Sequence, residues 1–255
     1  MTTKKSPICT YLIAGGIVLL LFVATYFLFL RKQSVDLDLP TYEAPRATGT
    51  ITIDGNVNDD AWKKVPWTRD FPYSDGSGFP DKSARAKITW DDQYLYFAFQ
   101  AEDDDLVSTY AVRDDPIYQE DVVEVFLDPE GDKLNYYEFE VSPRNVIFDA
   151  LFPSYRKDLS LSKKWNAAMR TGVQCEGTID NHGDKDTGWS VEMAIPFADI
   201  QFSPRKPPKT GDVWRMNLFR INITARGQSD YCAWSPPIQG DFHILDRFGF
   251  LRFDD

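Results

Sequence analysis

Two hydrophobic patterns divide the chain. From Ile8 to Leu30 the residues are uncharged and dominated by Leu, Ile, Val and Phe. Twenty-three residues at about 1.5 Å rise span roughly 34 Å as a helix, enough for a hydrocarbon core of about 30 Å. The stretch is longer than the apolar part of a signal peptide and runs directly into Arg31 and Lys32, which predicts an uncleaved transmembrane anchor. Beyond residue 48 the period changes to two. Aromatic and β-branched residues alternate with polar ones in short runs separated by Gly, Pro, Asp and Asn, the signature of strands and turns.

Those runs predict strands at 49–53, 86–90, 94–101, 121–127, 136–141, 146–151, 170–178, 188–194, 213–224, 231–234 and 248–253. The pair around Asp91-Asp92 reads as a hairpin, and residues 61–65 as one helical turn. No stretch after the anchor sustains a helical period, so the expected fold is all-β: an antiparallel β-sandwich or jelly roll preceded by one transmembrane helix. The expected organisation is a cytoplasmic tail and anchor over 1–32, a polar linker over 33–48 (QSVDLDLPTYEAPRAT), and one sandwich domain over 49–255.

Composition narrows the partners. Hydrophobic residues make up 43% of the chain and aromatic residues 15%, ample for a buried core. The four basic residues of 1–32 meet no acid there, leaving 24 basic against 39 acidic residues, a net −15, for the remainder. A domain of that charge repels phosphate backbones, which argues against nucleic acid. Two basic residues flank each end of the apolar stretch, so charge alone does not orient it; a single-pass protein with its domain outside the cytoplasm is the expectation. Cys175 and Cys232 are the two cysteines after the anchor. They read either as an oxidised pair or as two buried thiols.

Candidate chemistry sits on neighbouring strands. Alternation places Val123, Val125 and Leu127 on one face and Val122, Glu124, Phe126 and Asp128 on the other. Glu124 therefore lies between apolar neighbours, and a buried carboxylate needs a cation, a donor or a ligand. Glu138 and Glu140 share a face of the next strand. Pairing of the two strands would bring them to Glu124, although outward polar residues are also ordinary in a half-solvated sheet. Tyr118 and Trp234 lie where loops meet strands and are the aromatics the core does not demand; Trp62, Trp90, Trp189 and Trp214 fit packing patterns. Arg220 is the candidate counter-charge for the acids.

Several stretches, in order, resemble the family 9 carbohydrate-binding modules and their relatives. They are Ile53-Asp54-Gly55 with Trp62, Trp90 to Tyr96, Asp121 to Pro129, and Asn135 to Phe139. They continue with Gly188 to Glu192 through Ile195-Pro196, Trp214 to Asn217, Trp234-Ser235-Pro236, and Phe248-Gly249. The resemblance covers about residues 49–253. It implies a non-catalytic module that holds a mono- or oligosaccharide, often at a chain end, between two aromatic rings, with carboxylates bonding its hydroxyls. By position Tyr118 and Trp234 match the clamp residues and Glu124 a hydroxyl-binding acid, with Glu138 a looser match. The first clamp position is Tyr where better-known members carry Trp. Such modules often hold structural calcium. Asp103-Asp104-Asp105 and Asp54–Asp60 offer oxygens for it, but neither run fits an EF-hand.

Three other readings make different predictions. A glycoside hydrolase would use Glu124 and Glu138 as paired acids, but the common hydrolase and nucleotide-binding motifs are missing. A haem b electron carrier would draw axial ligands from Met169, Met193, Met216 and His243. An envelope protein-binding module would present Tyr118 and Trp234 to a protein partner.

Overall fold

The computed structural model describes residues 38–223 and 227–255. The expected anchor over 8–30 lies outside the described residues, and no helix within them is long and apolar enough to cross a membrane. Eleven strands are present in the described part: β1 (Thr41–Ala44), β2 (Ala84–Trp90), β3 (Tyr94–Glu102), β4 (Val122–Asp128), β5 (Tyr136–Val141), β6 (Ile147–Phe152), β7 (Arg170–Glu176), β8 (Gly188–Pro196), β9 (Val213–Ile223), β10 (Ser229–Ala233) and β11 (Gly249–Phe253). One four-residue helix, α1 (Leu159–Ser162), follows β6. A seven-stranded sheet runs β1-β11-β9-β4-β5-β6 with β10 also on β9, and a four-stranded sheet runs β2-β3-β8-β7.

Two expectations about the edges do not hold. The run 49–53 is not a strand; Ile51 is buried, but Thr52 spends its amide on the Asp59 carboxylate. Conversely, the supposed linker contains β1, which pairs in parallel with β11, so the sandwich begins inside 33–48 and is not wholly antiparallel. Its Tyr42 and Ala44 alternate inward, a short signal masked by the surrounding polar residues. Trp90 closes this edge by donating its Nε1–H to the carbonyls of Ala44 and Asp254. The expected turn at Asp54-Gly55 does form. Gly55 has φ 89°, and a Cβ there would lie 2.5 Å from the Val173 backbone.

The core lies between the sheets, where Phe97, Phe99, Val191 and Met193 meet Val125, Phe139 and Leu218. Cys175 and Cys232 are free thiols. Each sheet is also covered on its outer face. Trp62 and Ile51 pack over Tyr96 and Ala98 on the smaller sheet. There Glu192, fully buried, accepts from Trp62 Nε1 at 2.7 Å and from the amides of Asp54 and Gly55. Loops carrying Ile117, Leu245 and Phe248 cover the larger sheet over Phe126 and Phe219. That second cover makes every residue of β4 and β5 buried, both faces included.

Candidate functional site: an aromatic pocket over three buried acids

The cover over the larger sheet is incomplete, and the gap is a cavity of about 280 Å3. Its floor is the outer face of β4, β5 and β6, represented by Glu124, Glu138, Phe148 and Phe152. Tyr118 forms one wall. It sits in a single 3-10 turn over Ile117–Gln119, anchored by buried Ile117, with its ring edge-on to Phe148 at 5.8 Å. It remains 36% exposed. Further lining comes from the loop after β10, where Phe242 stacks on Phe219 at 4.1 Å and meets Tyr231 edge-on. This loop holds Ile238 at φ 67°, a costly conformation for a β-branched residue.

The rim is pinned by charge. Arg156 donates to Asp241 Oδ1 through Nε at 3.0 Å and Nη2 at 2.7 Å, and Tyr155 donates to the other oxygen. Asp241 also accepts from the His243 amide. The His243 ring shares a hydrogen bond with the Tyr136 hydroxyl at 2.7 Å, and its Nε2 lies 4.0 Å from Glu138 Oε1. Burial, with help from the Arg156 charge, holds His243 down to about 4, so the ring is neutral at neutral pH.

The strand register assembles the floor. Glu124 on β4 is directly opposite Glu140 on β5, while Glu138 faces Phe126 one pleat away. One oxygen from each of the three acids lies within 4.8 Å of those from the other two. Burial pushes Glu138 up to about 7. It raises Glu124 and Glu140 well above the ordinary carboxyl range, reinforced by the charge of their neighbours. Apart from the hydrogen bond that the Glu138 and Glu140 carboxyls can share, nothing on β4 or β5 offers these two a compensating donor.

A sequence model of the carbohydrate family 9 binding domain-like family matches residues 53–253. The chain belongs to that family. Among curated relatives of the family 9 domain here, an extracellular protein of Arthroderma benhamiae is 27% identical over 74% of this chain and 87% of its own length. Exoglucanase XynX of Acetivibrio thermocellus is 36% identical over 64% of this chain, but that covers only 13% of the enzyme. A family 9 module from Caldicellulosiruptor kristjanssonii, solved in complex with cellotriose, superposes with a TM-score of 0.58 at 21% identity, covering 84% of this chain and 94% of that one. That likeness establishes the sandwich fold.

Within the family 9 domain, three of the five residues expected to form the site meet at one place: Tyr118, Glu124 and Glu138. Trp234 does not join them. It is 2% exposed and packed in the core between the sheets, with its ring against Gly249, where an added Cβ would come within 2.6 Å of it. A ring so enclosed has no face to offer a ligand. Arg220 is also misplaced by the expectation. It pairs with Val123, a core-facing residue, and so points to the opposite side of the sheet from Glu124. There it binds Asp103 and backbone carbonyls instead of the three acids.

The Asp runs offered for calcium are engaged within the protein. Asp103 takes Arg220, Asp104 takes Lys82, and Asp105 takes His182. Asp54 and Asp59 accept amides of their own loop. The haem arrangement is not assembled either. Met169, Met193 and Met216 belong to the inter-sheet core, whereas His243 lines the pocket on the other side of the larger sheet. Phe242, His243 and Arg156 are pocket residues that strand patterns do not single out. The clustering of an aromatic and a histidine in the loop Gly240-Asp241-Phe242-His243 was the available signal.

Proposed function

We propose that the chain is a non-catalytic carbohydrate-binding module whose pocket receives one sugar ring. Tyr118 lies along the apolar face of the ring, Phe242 takes the second aromatic wall expected of Trp234, and Glu124 and Glu138 accept from its hydroxyls. The observation that carries this reading is the exposed Tyr118 ring standing over two buried acids in a cavity of about 280 Å3. A sugar matches it because its C–H face suits an aromatic platform, and a carboxyl group, neutral or ionised, offers an acceptor oxygen to its hydroxyls. The cellotriose complex of the Caldicellulosiruptor kristjanssonii module points to β-linked gluco-oligosaccharides as the first class to try. The apolar stretch Ile8–Leu30 would hold the module at a membrane with the sandwich outside the cytoplasm.

A glycan array probed with the full chain, followed by calorimetry on each hit, tests the reading. Tyr118→Ala and Phe242→Ala should each weaken binding by about tenfold or more, in line with loss of an aromatic contact in a desolvated pocket. Absence of binding to every mono-, oligo- and polysaccharide sinks it, and a protein partner becomes the better account of the pocket. Hydrolysis of an aryl glycoside, lost in Glu124→Gln, would overturn the non-catalytic assignment.

A further inference from the structure

Glu140 is fully buried, and neither of its carboxyl oxygens meets a donor outside the acid cluster; within it, Glu138 is the one group near enough to share a proton. That is a costly arrangement on its own. It is worsened by Glu124 directly across the strand pair, since like charges at opposed positions destabilise a sheet. Among the described residues no cation pairs with it: Arg156, the guanidinium of the pocket lining, is bonded to Asp241, and of the three acids its charge favours ionisation of Glu138. The neighbours of Glu140 on β6 and of Glu124 on β9 are Phe148 and Phe219, which supply no donors. Three acids with converging oxygens, one of them with no donor except a fellow acid, form a site in which the protein itself supplies at most a shared proton.

We infer that Glu124, Glu138 and Glu140 bind one divalent hard cation, with calcium the best match, at the floor of the Tyr118 pocket. The donor set is carboxylate oxygen alone, which selects calcium, manganese or magnesium over softer ions. Glu140 has two free oxygens and so can bind in bidentate fashion, a mode calcium accepts readily and magnesium resists. The ion has to be compact. Glu124 and Glu138 line the cavity and Glu140 does not, so a group that meets all three has to pass below the lining, which suits a bare ion better than an ammonium on a sugar ring. Three carboxylates leave part of a shell of about six to eight oxygens open on the cavity side. Water fills those positions in the free protein, and two neighbouring sugar hydroxyls would replace it. Only this last clause rests on the sugar-binding reading; the ion site stands on the three acids.

Calorimetry of chelator-stripped full chain titrated with calcium chloride should give one site per chain, and added calcium should raise the melting temperature. Glu140→Gln, which keeps the shape, should weaken calcium binding at least tenfold while the protein stays folded by circular dichroism. Tyr118→Ala should bind calcium as wild type does, whatever it does to sugar. Calcium binding without any sugar binding leaves the ion site intact and sinks only the sugar reading. Calcium affinity unchanged in Glu140→Gln overturns the inference, because the ion then sits elsewhere. So does the absence of heat and of a melting shift up to about 10 mM calcium, above the ~1 mM constants of weak extracellular calcium modules. Glucosamine binding to the stripped chain, with loss in Glu140→Gln, would replace the metal with an organic cation.

Discussion

Asp103 and Asp121 on one side of the larger sheet, and Glu124, Glu138 and Glu140 on the other, are all buried carboxyls, yet their surroundings differ at every contact. Arg220 reaches Asp103 at 3.1 Å and Asn222 at 2.7 Å, and it also donates to the carbonyls of Lys82, Ser83 and Glu102. Asp121 accepts one backbone amide on each oxygen, from Val107 and from Ile223, both at 2.6 Å. Burial raises Asp103 to about 6, but the guanidinium and an amide pull against it. For Glu124 and Glu140 burial and neighbouring charge act in the same direction, and nothing opposes them. Burial is thus common to both groups, and unmet hydrogen-bonding capacity separates them. The first group is closed by the protein and reads as architecture. The second is open and reads as a site.

The comparison breaks first at Arg220. Replacing it with Met should cost about 3–5 kcal/mol, the loss expected when one partner of a buried ion pair is removed. Urea unfolding measures this, and the Asp103→Asn/Arg220→Met pair should recover part of the loss because no lone buried charge remains. A loss below about 1 kcal/mol would mean that the Arg220 cluster is no more structural than the acids across the sheet.

A similar contrast separates the two aromatics that sequence patterns put together. Trp234→Ala should destabilise the fold by about 3–5 kcal/mol, as large core truncations do, while the folded fraction keeps its sugar affinity. Tyr118→Ala should show the opposite pattern, with stability within about 1 kcal/mol of wild type and the binding loss given above. Calorimetric titration alongside thermal unfolding of both variants reads the two effects separately. Sugar binding that depends on Trp234 without a stability cost would return that residue to the site.

The smallest expected effect is one of pH. Asp103 releases its proton near pH 4 when unfolded but near 6 when folded. Between those values the native state holds a proton that the unfolded state has lost. The Asp103 contribution therefore makes stability fall as pH rises from about 4 to 6 and then levels, while the raised Glu138 continues the fall toward 7. The Asp103 drop is at most about 3 kcal/mol. Asp103→Asn should flatten the slope across that window in denaturant titrations run at a series of pH values. An unchanged slope would assign it to other groups.

Much of this was legible along the chain because strands in a sandwich advertise themselves by period. The β2–β3 hairpin, β5, and the core faces of β4 and β5 stand where alternation puts them. Glu124 was also visible, since an acid between apolar neighbours in a strand asks for an explanation. The failures share one cause. Trp234 follows β10 at a loop junction, and Arg220 sits in a strand buried on both faces, so local pattern does not tell which side of the sheet either faces. A shift of one residue, to the position of Phe219 or Ile221, would have carried the guanidinium to the three acids. Glu140 looked like an outward polar residue because a covered outer face and a solvated one have the same alternation.

By itself the sequence determined the class of fold, most of the strands, the family and the presence of acids on adjacent strands. These follow from side-chain period and from the cost of burying charge, both local properties. Tertiary structure alone decided that the outer face of the larger sheet is roofed by loops, that the roof leaves a pocket beside Tyr118, and that Glu140 is sealed beneath it with no donor outside the acid cluster. Those facts depend on the register between β4 and β5 and on where the loop bearing Phe242 comes to rest. No period along the chain encodes either, because both arise from contacts between separate segments and not from spacing within one.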